Sequence, residues 1–285
     1  MPQLPFDDAL IHDPDGGMPR LLAIMARLRD PVTGCPWDIA QDFASIAPYT
    51  IEEAHEVADA IARGAWQELE GELGDLLLQT VYHAQMGAEA GHFDFASILR
   101  GISDKMVARH PHVFGNESRN KTAEQQTADW EAIKAAERVG RAEGRVLDGV
   151  AMGLPALTRA LKLQNRAARV GFDWPSTDEV LDKIVEEARE LVEARDTLTR
   201  DEIAEEFGDL MFVMTNLGRH LGLDPEATLR GANAKFTRRF GRIEDWLSER
   251  GATPATSDLA EMDALWNRAK VEEKVKTSAQ HLKGS

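Results

Sequence analysis

An acidic block written twice limits what this chain can fold into more than any other feature. Glu52-Glu53-x-x-Glu56 is followed by Glu72-x-x-Asp75, and Glu186-Glu187-x-x-Glu190 by Glu206-x-x-Asp209. From the third Glu to the fourth is 16 residues in both copies, and Leu76-Leu77 or Leu210-Met211 follows each Asp. Residues three apart share a helix face, so each copy sets two acidic pairs on two helices. A short connection favours antiparallel packing, which lets four carboxylates converge. At ~4 Å and an effective dielectric near 20, each pair repels by roughly 4 kcal/mol. A hard divalent cation removes that cost and keeps positions open for water and phosphate oxygens.

Helical periodicity dominates the rest, and aromatics make up only 6% of the chain. It predicts helices over 18–29, 50–63, 66–87, 93–109 and 125–139, then over 156–169, 177–197, 201–221, 225–247 and 257–274. Thr50, Thr177 and Asp224 read as N-caps, with Pro225 at a first helical position. The duplication reaches past the acids. Lys105-x3-Arg109 matches Lys235-x3-Arg239, and Trp130-x3-Lys134 matches Trp266-x3-Lys270. Trp37-Asp38 precedes the first acidic helix as Asp173-Trp174 precedes the second. The expected fold is all-α: two tandem duplicated helical-bundle domains, 18–139 and 153–275, with a charged, glycine-bearing linker at 140–152. Residues 1–17 and 276–285 are expected to be poorly ordered. Gly74 and Gly208 cost ~1 kcal/mol each inside a helix, and close approach of another backbone or a ligand is the expected reason.

A net charge of −16 argues against a nucleic-acid polymer as partner. It leaves phosphorylated small molecules open, because a bound metal reverses the local charge. No apolar run approaches the ~18 residues of a membrane span. The start, with Asp7, Asp8, Asp13 and Asp15, lacks a signal peptide's basic and apolar regions. Cys35 is the single cysteine, so the chain is expected to be cytoplasmic. Glu52-x-x-His55 matches the Glu-x-x-His of di-iron bundles, but Arg189 replaces His55 in the second copy. There is no Walker loop, GxGxxG or serine elbow.

Plainer readings compete at each position. A lone EExxE is usually a solvated helix face, and Thr50-x-x-Glu53 fits a capping box that would occupy Glu53 with backbone. That rival has no counterpart in the second copy, where Thr177 lies ten residues before Glu187. Lys235 and Arg239, one turn apart, suit phosphate neutralisation or are surface charge. Trp266 and Lys270 offer a platform for a base and a cation for a phosphate, or Trp266 is core. Lys183, one turn before Glu187, is an ion-pair partner or a phosphate contact.

EExxE followed by ExxD, twice in tandem, resembles the MazG family of nucleoside triphosphate pyrophosphohydrolases, in the all-α NTP pyrophosphatase superfamily. The likeness spans about 18–275 and is carried by CPWDIAQDFASIAPYTIEEAHEV, GELGDLLLQTVYHAQM, RHPHVF, VGFDW and NAKFTRRF. It implies Mg²⁺-dependent hydrolysis, with Mn²⁺ as substitute, of ribo- and deoxyribonucleoside triphosphates between the α and β phosphorus. NMP and pyrophosphate result, a housecleaning of the nucleotide pool, and a homodimer is implied as well. By motif, Glu187, Glu190, Glu206 and Asp209 would bind metal, as would Glu53, Glu56, Glu72 and Asp75 in the first copy. Lys183, Lys235, Arg239, Trp266 and Lys270 would hold the nucleotide, with Glu187, Glu206 and Asp209 also on the substrate side. Glu186, Glu187, Lys235 and Arg239 are the catalytic candidates, Glu186 orienting water or supporting the metal ligands. The second unit is typically the active one in this family. Here Tyr49 stands where Lys183 aligns, and the Lys-to-Trp distance is 25 residues in the first copy against 31 in the second. Two other readings remain: an enzyme for a narrower nucleotide, such as dUTP or phosphoribosyl-ATP, and a non-enzymatic helical interaction protein.

Overall fold

The computed structural model describes residues 8–118, 120–123, 125–127, 129–130, 133 and 145–283, with side chains described as far as residue 275. Among the described residues every regular element is helical. None of the described helices is long and apolar enough to cross a membrane. The chain divides into two compact units, 1–134 and 135–285.

In the first unit, α1 is Asp8–His12, α2 Gly17–Leu28, α3 Pro36–Ala40, α4 Phe43–Arg63, α5 Trp66–Glu89, α6 Phe95–Arg109 and α7 Pro111–Phe114. α4 starts well before Thr50. Asp42 and Ser45 close a reciprocal capping box, Ser45 N–H donating to Asp42 Oδ1 at 2.8 Å and Asp42 N–H to Ser45 Oγ at 2.9 Å. Pro48 then lies inside the helix, where it forfeits one backbone hydrogen bond. Thr50 caps nothing; its Oγ1 pairs with His83 Nε2 at 2.9 Å. The capping-box rival for Glu53 is thereby removed. At the other end Gly64, left-handed at φ 67°, caps α4 through the Ala60 and Ile61 carbonyls. The chain turns at once into α5, so α4 and α5 form a tight hairpin. Met25, Ile46, Val81, Tyr82 and Met86 make the core, with Leu21, Leu22, Leu78 and Phe95 packed around it. The expectation of a poorly ordered start fails over 8–17. α1 packs on α2, and Arg20 Nε donates to the Ile11 carbonyl at 2.9 Å.

In the second unit, α8 is Ala156–Ala168, α9 Thr177–Thr197, α10 Arg200–His220, α11 Pro225–Ser248 and α12 Leu259–Lys283, with a 3₁₀ turn at Pro254–Thr256. α9 is capped by Ser176, one residue earlier than expected. Thr199 and Glu202 box the start of α10, leaving a connection short enough to enforce a hairpin. Asp224 caps α11 as expected, accepting from Ala227 N–H at 3.0 Å ahead of Pro225. Val180, Ala194, Val213, Ile243, Trp246, Leu247 and Ala269 are buried. Arg242 and Arg268 lie 4.7 and 4.1 Å from the Trp246 ring centroid, a cation–π arrangement. α12 runs on to Lys283, past the expected end near 274. The expected helix at 125–139 and linker at 140–152 fall partly outside the described residues, and Lys134 does so entirely.

Candidate active site

Each hairpin gathers its acids. Carboxylate oxygens of Glu187, Glu190 and Glu206 all lie within 4.8 Å of one another, and those of Glu53, Glu56 and Glu72 do the same. Asp209 and Asp75, one turn further along their helices, are exposed and stand outside these trios. They are still felt. Burial, then Glu190, Asp209 and Glu187, pushes the Glu206 carboxyl above the usual range. Burial, then Asp75, Glu56 and Glu72, does so for Glu53, and burial with Glu56 does so for Glu72. Burial and mutual repulsion of this kind are what a bound cation would relieve. An all-oxygen donor set suits a hard ion such as Mg²⁺ or Mn²⁺.

The two trios differ in their compensation. Lys183 Nζ reaches Glu186 Oε1 and Glu187 Oε1, both at 2.8 Å. Those hydrogen bonds, the one to Glu186 first, raise the ammonium pKa. Glu187 itself is buried, 5% exposed. In the first unit Tyr49 takes the lysine's place and meets Trp37 edge-on at 6.4 Å.

The expected nucleotide-holding residues form a second group on α11 and α12. Arg239 Nε donates to Glu273 Oε2 at 2.8 Å, and its guanidinium lies 5.4 Å from the Trp266 ring centroid. Phe236 packs on Trp266 at 5.3 Å. Lys235 is exposed and Lys270 half-buried on the same two helices. The pairings of Arg239 and Trp266 run to Glu273 and Phe236. In the first unit, Lys105 and Arg109 are half-buried on α6, and Trp130 is half-buried. Sequence reasoning missed Glu273 and Phe236. Glu273 stands three residues after Lys270 and shares its helix face, a signal that was available. The expectation for Gly74 and Gly208 fails within the chain: nothing lies within 4 Å of a Cβ built at either.

Comparisons with known proteins agree with this geometry. A family model described as MazG nucleotide pyrophosphohydrolase domain matches residues 41–114. One described as phosphoribosyl-ATP pyrophosphohydrolase matches residues 154–235. The chain is 50% identical over 256 residues to a nucleoside triphosphate pyrophosphohydrolase of Escherichia coli K12, covering 89% of this chain and 97% of that protein. It is 40% identical over 250 residues to the nucleoside triphosphate pyrophosphohydrolase/pyrophosphatase MazG of Thermotoga maritima, covering 88% and 94%. A 41% identical stretch of 253 residues in the uncharacterized protein YabN of Bacillus subtilis covers 88% of this chain and 51% of that one. Matches of this length take in both acidic hairpins, so the likeness is to the tandem arrangement and not to one half of it. The chain therefore belongs to the MazG family of nucleoside triphosphate pyrophosphohydrolases.

Proposed function

We propose that this enzyme hydrolyses ribo- and deoxyribonucleoside triphosphates between the α and β phosphorus, with Mg²⁺, in its second unit. The observation that carries this reading is the Glu187–Glu190–Glu206 trio with Lys183 bonded into it. Glu187, Glu190, Glu206 and, one turn on, Asp209 would hold the metal. Bound there, Mg²⁺ or Mn²⁺ supplies phosphoryl polarisation and an activated water. Glu186, exposed beside the trio and tied to Lys183, is placed to orient a water and take its proton. Lys183, Lys235 and Lys270 neutralise phosphate charge. Arg239 spends its Nε on Glu273, which leaves its terminal nitrogens to meet phosphate oxygens as charge develops. Residues 18–139 and 153–275 are the two domains, with 140–152 as linker. The first binds metal through Glu53, Glu56, Glu72 and Asp75 without turning substrate over. A cytoplasmic location fits the substrates and the single Cys35.

The test is a panel of all eight common NTPs and dNTPs with phosphoribosyl-ATP. NMP plus pyrophosphate is the expected product pair with the triphosphates. NDP plus phosphate would refute the bond assignment. Preferential cleavage of phosphoribosyl-ATP would favour the narrower reading that the match over 154–235 supports.

A homodimer is part of this reading. Phe207, Met211 and Met214 make one exposed apolar stripe on α10, and Leu181, Val185 and Val192 another on α9. The first hairpin exposes Ile51, Leu73 and Leu77 at matching positions. Faces of this extent are covered in use, and a second copy supplies the same chemistry. Sedimentation equilibrium is expected to give a dimer, and Val185→Glu with Met211→Glu a monomer. A monomeric unmodified chain at tens of micromolar would end the proposal.

A further inference from the structure

We propose that Glu273 governs how Arg239 is used: it fixes the guanidinium for the transition state and holds back its charge from bound substrate and product. This rests on the triphosphate reading of the second unit. It adds a positioning residue that acts through Arg239.

Trp266, Lys270 and Glu273 stand at i, i+4 and i+7, so they share one face of α12. The first copy writes the same order, Trp130-x3-Lys134-x2-Glu137. Lys134 and Glu137 lie outside the described residues. The acid thus belongs to the duplicated pattern that carries the expected nucleotide-holding residues.

The Glu273 carboxylate bridges two arginines of α11. Its Oε1 accepts from Arg238 Nε at 2.8 Å, with Arg238 Nη2 at the same distance. Its Oε2 accepts from Arg239 Nε at 2.8 Å. Burial would raise the Glu273 pKa, but the hydrogen bonds from Arg239 and then Arg238 bring it below the usual carboxylate value. The anchor is therefore charged at neutral pH. The Arg238 side chain is mostly exposed, whereas that of Arg239 is only 17% exposed and lies against the Trp266 ring. A free arginine has wide rotamer freedom. Here a carboxylate on one edge and an indole beside it select one orientation. The bond engages Nε, so the Nη1–Nη2 edge of the planar fork is the one turned to phosphate.

The charge of Glu273 matters as much as its grip. An arginine without a counter-charge would attract triphosphate, transition state and pyrophosphate alike, which tightens binding without speeding the reaction. A carboxylate at 2.8 Å offsets that general attraction. The fixed N–H groups keep their directional strength for the atoms on which charge develops.

In the full chain, Glu273→Gln is expected to lower kcat for ATP at least ten-fold. The KM for ATP and the Ki of pyrophosphate are both expected to fall at least three-fold. A side chain that only supported folding would lower kcat and raise the other two. Glu272, which meets Arg242 at 3.4 Å instead, is the control: Glu272→Gln should leave all three constants within two-fold. In an Arg239→Ala background, Glu273→Gln should change nothing further, because its effect passes through Arg239. An unaltered kcat, a raised KM and Ki, the same shifts in Glu272→Gln, or additive losses in the double variant would each overturn the proposal. If Glu273→Gln fails to fold, Arg239→Lys decides. Lysine keeps the charge but has no fork to reach Glu273 and phosphate together, so kcat should drop at least ten-fold, and a near-normal kcat overturns it. Failure of the triphosphate reading shows separately, as an unmodified chain that releases no pyrophosphate from any NTP.

Discussion

Glu206→Gln is expected to lower Mg²⁺-dependent pyrophosphate release by about a thousand-fold or more, with the fold intact. Glu206 stands on α10 opposite Glu187 and Glu190 of α9, and its oxygens lie within 4.8 Å of theirs. Glutamine preserves the shape of that position and deletes the charge a hard cation needs. The folded state should not suffer, because burial and then the acidic neighbours already disfavour the native carboxylate and raise its pKa. The matched change in the other hairpin, Glu72→Gln, is expected to leave the rate within about two-fold. Its trio has Tyr49 in place of the lysine. Steady-state pyrophosphate release and far-UV circular dichroism on both variants decide. Full activity in Glu206→Gln would remove the second hairpin from the chemistry, and a collapse in Glu72→Gln would transfer it to the first.

Magnesium at a hundred times its Kd is expected to stabilise the protein by about 2.7 kcal/mol per site, if the unfolded chain binds none. For a unit of this size that moves Tm by about 5–11 °C. The pH dependence has a definite sign. Glu53, Glu72 and Glu206 have folded-state pKa values above the ordinary carboxylate value. As pH rises from that ordinary value, the unfolded chain loses these protons first, so the folded chain carries more of them and stability falls. The stability is fully present below the ordinary carboxylate pKa and is lost as pH climbs through the raised values. Glu68, held low by Arg63, and Asp173, held low by Arg219 and His220 despite its burial, act in the opposite direction. The informative quantity is therefore the difference between curves with and without metal. Differential scanning fluorimetry from about pH 4.5 to 7.5 should show the Mg²⁺ gain growing with pH. A gain that is flat or absent would count against both trios as metal sites.

The acids and hairpins were readable because helix spacing alone puts three of the four carboxylates of each block on converging faces. Asp224 followed by Pro225 was readable for a similar reason, since capping chemistry is local. What escaped depended on partners distant in sequence or on competing local signals. α4 starts at Phe43 because Asp42 and Ser45 cap each other, a pairing that Pro48 and Thr50 disguised. Glu273 takes Arg239 only once α11 and α12 pack. A cavity of about 530 Å³ in the second unit needs Leu163 and Gln164 of α8, Phe172 and Trp174 of the following loop and Phe212 of α10 together, so no single stretch announces it. Gly74 and Gly208 invited an explanation in terms of close contact that the chain itself does not supply.

Lys183 has a consequence for the order of events. Its ammonium sits against Glu186 and Glu187 at 2.8 Å, so the second hairpin carries its own counter-ion before any metal arrives. On the proposed metal-binding reading, that hairpin assembles in metal-poor surroundings and then loads by the swing of a single flexible side chain. Among the described residues, no lysine is placed against the first hairpin's trio in this way; Tyr49 stands at that position. On that same proposed reading, newly made chains fill the two centres by different routes, one by exchange and one by capture.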